Sequence, residues 1–151
     1  MENTRNRPYS CVVSKLKTAG LRPTKQRIAL AKLLFEKECG CHITAENLHK
    51  EVMNHGLSIS LATIYNTLNQ FTEAKILKEI IVDPGLSYFD SNTMEHHHFY
   101  YEDSAKLEDI PVGNLAITNI PDAPAHTEIS RIDVIVRLKE EKPTLKNNLM
   151  T

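Results

Sequence analysis

The chain has 151 residues, 41% of them apolar and 25% charged, with a formal net charge of −1. Such a composition supplies a core and excludes a wholly disordered chain; the length suits one domain or two small ones. Apolar runs stop far short of the roughly 20 residues of a membrane span. No apolar stretch comes after Arg5, Arg7 and Pro8, so no secretory signal is read and the cytoplasm is the expected compartment. Cys11, Cys39 and Cys41 are too few for a disulfide framework and are expected as reduced thiols. Residues 1–80 hold 12 Lys/Arg against 7 Asp/Glu, whereas residues 81–151 hold 6 against 12. A basic first half and an acidic second half imply two functions on one chain, the first facing an anion.

The first 75 or so residues have helical periodicity. Tyr9 to Thr18 reads as a short helix stopped by Gly20. Thr24 caps a second helix with Ile28, Ala31, Leu34 and Phe35 on its buried face, and Gly40 breaks it. Thr44 caps a third, with Leu48 and Val52 inward and Gly56 as stop. Ser60 starts a fourth, whose Leu61, Ile64, Leu68 and Phe71 face inward and whose Ala62, Thr63, Asn66, Thr67 and Gln70 face out. The period then drops to two. Ile76 to Val82 and Leu86 to Asp90 read as a hairpin around Asp83-Pro84-Gly85. Four helices and a hairpin describe a winged helix-turn-helix ending near residue 90.

Beyond it, His96 to Glu102 and Lys106 to Ile110 are short strand candidates, and Pro111, Pro121 and Pro124 break up the stretch beyond Ile110. Ile132, Val134, Val136 and Leu138 alternate with polar neighbours as a half-buried strand. The fold class is therefore α+β: a winged-helix DNA-binding domain over 1–90, a small α/β dimerisation and metal- or haem-sensing domain over 91–138, and a flexible tail over 139–151. A sheet this small is marginal alone and is expected to bury itself against a second copy.

Short polar side chains on a helix suit the major groove. Asn and Gln bond adenine bidentately, and Thr or Ala touches a thymine methyl. Ala62, Thr63, Asn66 and Gln70 offer that face, Tyr65 flanks it, and Arg22, Lys25 and Arg27 are candidates for phosphate or minor-groove contact. His96-His97-His98 is the second constellation. Strand alternation puts His96 and His98 on one side and His97 on the other. With Asp90 before and Glu102 or Asp109 after, they make a nitrogen/oxygen site for a first-row divalent ion, and His42, in the loop after the second helix, can reach the same ion. Cys39-Gly-Cys41-His42 lacks the paired spacing of a zinc site.

The stretches Leu16 to Thr24, Thr44 to Leu48 and Ser60 to Phe71, with the triple histidine, resemble the ferric uptake regulator family over residues 10–138. Tyr65-Asn66, His96 to Phe99 and Asp109-Ile110-Pro111 resemble its haem-responsive iron response regulator branch. The resemblance implies a homodimeric, metal- and haem-responsive transcriptional regulator, repressor or activator, of iron homeostasis and haem biosynthesis genes, bound to a palindromic DNA operator. It implies DNA contacts by Arg22, Thr24, Arg27, Ser60, Ala62, Thr63, Tyr65 and Asn66. It places Fe, Mn or Zn on His42, Asp90, His98 and Asp109, and haem on His96, His97 and His98. Tyr100 stands where the family has a further histidine, Phe99 replaces a carboxylate, Cys-x-x-Cys pairs are absent, and Cys11 precedes Val12 rather than a proline. A peroxide sensor of the same family, with His42 or His98 as the oxidised residue, is the alternative. A metal-dependent hydrolase has no His-Glu-x-x-His helix to support it, and no enzyme is expected.

Overall fold

The computed structural model describes residues 8–37 and 41–143. Cys39, Gly40 and residues 144–151 of the expected tail lie outside them. Two compact units divide between Met94 and Glu95, and among the described residues no helix is long and apolar enough to cross a membrane.

The first unit contains α1 (Pro8–Thr18), α2 (Lys25–Phe35), β1 (His42–Ile43), α3 (Ala45–Asn54), α4 (Leu61–Glu73), β2 (Lys78–Asp83) and β3 (Leu86–Asp90). Thr24, Thr44 and Ser60 each accept the backbone N–H three residues on, so α2, α3 and α4 all begin on a hydroxyl cap. Ser60→Ala is expected to cost about 1 kcal/mol, read from the urea midpoint. Helices α1 and α3 end on Gly20 and Gly56 at φ +78° and +70°, and in each the following N–H returns to a carbonyl five residues back. Helix α4 closes the same way through Lys75 at φ +62°. One core joins the helices to β1 and β3, with Leu16, Leu30, Leu34, Leu48, Ile64, Leu68 and Phe71 wholly buried.

Three details differ from the sequence reading. Helix α2 ends at Phe35, ahead of Gly40, and its inward face gains Leu30. Thr67 is buried rather than outward, because its hydroxyl donates to the Thr63 carbonyl at 2.8 Å and so enters the core satisfied. His42 is not in a loop. It forms β1, which pairs antiparallel with β3 in the sheet order β1-β3-β2.

The second unit is a three-stranded sheet in the order β5-β4-β6, built from β4 (His98–Tyr101), β5 (Lys106–Asp109) and β6 (Ile135–Leu138). β4 and β5 form an antiparallel hairpin, whereas β6 returns parallel to β4. Residues 111–134 make the crossover without helix or strand, so the expected last strand starts later and Ile132 is 37% exposed. The registers Phe99–Val136 and Tyr101–Leu138 put four apolar side chains on one face, each only half-buried.

Candidate metal centre and nucleic-acid interface

In the first unit, strand pairing sets His42 directly opposite Asp90. His42 Nε2 lies 3.0 Å from Asp90 Oδ2, and the other carboxylate oxygen accepts the Asn92 N–H at 2.8 Å. Asp90 is 1% exposed; a carboxylate so deep needs donors or a cation on both oxygens. Ser91 and Cys41 extend the pairing, with the Cys41 N–H on Ser91 Oγ at 2.9 Å and the Ser91 N–H on the Cys41 carbonyl at 3.1 Å.

In the second unit, β4–β5 register sets His98 opposite Asp109. His96 Nε2 and His98 Nε2 each lie 3.1 Å from Asp109 Oδ1, and the two rings are 4.4 Å apart. Two imidazole nitrogens on one carboxylate are a donor set that a first-row divalent ion takes. The residues present fit such an ion. Glu102 is not among them: it pairs with Arg137 and Lys139 instead. His97 turns away, its Nδ1 accepting the Val134 N–H at 3.2 Å, which puts the proton of a neutral ring on Nε2. The triple histidine is therefore split two and one. A cleft of about 170 Å³ is lined by His96 and His97. Tyr100, buried in β4, lies under the Arg137 guanidinium at 5.7 Å.

The helix-turn-helix face brings Arg22, Thr24, Arg27, Thr63 and Asn66 around a cleft of about 410 Å³, with Gln70 joining them. Ser60, Ala62 and Tyr65 lie outside that lining. Thr24 and Ser60 spend their oxygens on caps, and Ser60 Oγ also donates to Thr63 Oγ1 at 2.9 Å. Arg27 is less a loose cation than a brace: it donates to the Arg22 carbonyl and to Gln70 Oε1, each at 2.9 Å. The Tyr65 hydroxyl donates to Glu46 of α3. That bond holds the Glu46 carboxyl below its ordinary pKa and pushes the Tyr65 phenol above its own. Sequence reading missed Glu46, whose partner is 19 positions away with no pattern to link them, and the family resemblance placed His96 with haem alone.

Cys41 is 5% exposed, and burial pushes its thiol up, partly offset by the Lys37 ammonium 3.9 Å from Sγ. A raised thiol contributes stability below its unfolded value and loses it as pH climbs past that point. At pH 8, iodoacetamide is expected to label exposed Cys11 quickly and Cys41 only after denaturant is added. Equal labelling rates by peptide mass spectrometry would contradict the burial.

The ferric uptake regulator family model matches residues 18–136. The ferric uptake regulation protein of Vibrio anguillarum is 42% identical over 82 residues, 54% of each chain. The chain thus spans about half the length of the curated relatives it matches. The peroxide-responsive repressor PerR of Staphylococcus aureus is 35% identical over 97 residues, 64% of each chain. The Vibrio cholerae ferric uptake regulator structure superposes with a TM-score of 0.65 at 26% identity, covering 84% of this chain and 98% of that one. The Pseudomonas aeruginosa ferric uptake regulator with manganese, at TM-score 0.63 and 22% identity, shares the fold. With the match running from the end of α1 into the last strand, the chain belongs to the ferric uptake regulator family.

Proposed function

We propose that the chain is a metal-responsive DNA-binding transcriptional regulator of iron homeostasis, not an enzyme, acting as a homodimer on a palindromic operator. The observation that carries this reading is the pair of imidazoles, His96 and His98, gathered on Asp109 in a chain whose other unit is a winged helix-turn-helix. The ligands we propose are His98 and Asp109, joined by His96, in the second unit, and His42 and Asp90 in the first. A bound divalent ion supplies fixed positive charge there. The chain's own contribution is rigidity, since strand register fixes both His–Asp pairs. The half-buried face of Phe99, Tyr101, Val136 and Leu138 supports a second copy as its cover.

The test is a duplex-binding assay on the purified chain with Mn²⁺, Fe²⁺, Zn²⁺ or chelator, using DNA selected from a random pool. Binding is expected with the ion and not with chelator, with a log–log salt slope of about −0.9 per phosphate neutralised. Binding unaffected by chelator and by loss of His98 overturns it. The finer haem-responsive reading, with haem biosynthesis genes as targets, is supported by three adjacent imidazoles. It requires a haem Soret shift that disappears when His96, His97 and His98 are all changed to Ala. The similarity to PerR favours a second reading as peroxide sensor. Iron plus peroxide would then add oxygen to His42 or His98, seen by mass spectrometry.

A further inference from the structure

The geometry points to Gln70 as a base-reading residue that Arg27 holds in one orientation, selecting a base whose major-groove edge offers acceptors; this rests on the DNA-binding reading above. A guanidinium has donors only. The Arg27 Nη2 contact at 2.9 Å therefore falls on the amide oxygen of Gln70, and the second bond, from Nη1 to the Arg22 carbonyl, keeps the guanidinium in place. The amide cannot flip without losing a charge-assisted hydrogen bond. Gln70 is exposed, and Ala62, Asn66 and Gln70 succeed one another at four-residue intervals along α4, in one row.

The fixed orientation has a chemical consequence. A Gln with both ends available reads adenine, giving a donor to N7 and accepting from N6. Here Arg27 takes one of the oxygen's two lone pairs and holds that end of the amide on its own side, so the end turned away from Arg27 is the NH₂. An amide that leads with its two donors favours guanine O6 and N7, or thymine O4, over the N6 donor of adenine and the N4 donor of cytosine. Arg27 thus acts as a positioning residue for a specific contact, where the sequence reading made it a contact to DNA itself.

The experiment is selection from a random duplex pool with the full chain and Mn²⁺, followed by sequencing, for the parent and three variants. In the parent, one position of each half-site is expected to prefer guanine or thymine, and the two are separated by their counts. Gln70→Ala should flatten that one position, by about five- to a hundred-fold in preference, leaving the others alone. Arg27→Ala should let the amide flip and admit adenine at the same position. Gln70→Glu, which keeps a carboxylate oxygen for Arg27 and presents another outward, should turn the preference towards cytosine. The Gln70 variants change an exposed side chain and keep the fold testable if the Arg27 variant does not. If Arg27→Ala instead weakens every duplex equally and reduces the salt slope by about one phosphate, Arg27 is a backbone clamp and the proposal fails. Unchanged preference in Gln70→Ala also defeats it. A parent chain that binds no duplex removes the DNA-binding reading and, with it, this one.

Discussion

His98→Ala is expected to lower the affinity for Mn²⁺ or Zn²⁺ by more than the about 10–100-fold that loss of an outer-sphere partner costs. The imidazole removed is 3% exposed, opposite Asp109 in the β4–β5 register and 3.1 Å from its carboxylate. What remains in that unit is His96 with Asp109, one nitrogen and one carboxylate, too few donors to hold a first-row ion alone. Calorimetric titration checks the affinity, and the duplex assay checks that the ion no longer affects DNA binding. Asp109→Asn makes a sharper control, since it keeps the shape and hydrogen-bonding capacity while removing the negative charge. A His98→Ala protein that takes up the ion like the parent would remove His98 from the ligand set.

Phe71→Ala is expected to cost about 3–5 kcal/mol, a large share of the roughly 5–15 kcal/mol a domain has. Phe71 is 0% exposed, sits in the last full turn of α4 with its ring 6.2 Å from that of Phe35, and belongs to the core joining the helices to β1 and β3. Its carbonyl also receives the Ile76 and Leu77 N–H groups that turn the chain out of the helix, so the cavity opens where α4 hands over to the wing. Among the described residues all four helices lie in the first unit, hence the helical circular-dichroism signal reports this transition separately from the sheet of the second. The urea midpoint should fall with the slope unchanged. A loss under about 1 kcal/mol would mean that the core closes over the gap.

Much of the first unit was legible because its signals are local. Thr24, Thr44 and Ser60 announce three helix starts, and Leu48, Val52, Ile64, Leu68 and Phe71 fall at helical spacing. Thr67 was misplaced by the same logic: an amphipathic pattern counts its hydroxyl as polar, and the bond to the Thr63 carbonyl that cancels that polarity has no sequence signature. β1 is two residues long, too short for any period to show, so His42 facing Asp90 could be expected chemically but not as a strand pair. Alternation did foresee His96 and His98 together with His97 apart, although only His98 lies within β4. The pairings of Arg27 and Glu46 were hidden for another reason. Their partners are 43 and 19 positions away, and which side chains meet across helices depends on packing.

The parallel return of β6 also sets an order of events during synthesis. The first unit closes through neighbours in sequence, its wing by a tight turn at Pro84-Gly85. β4, by contrast, waits for Val134 and Ile135 to supply bonds to His97 and His98 across 37 positions. At roughly 5–20 residues per second, a ribosome exposes the whole winged helix seconds before that edge exists. Each newborn molecule thus passes through an interval in which the winged helix is complete and the sheet that seats His98 is still a two-stranded ribbon. Such ribbons are marginal in water, so a chain halted before residue 135 would carry a finished winged helix and an unfinished second sheet.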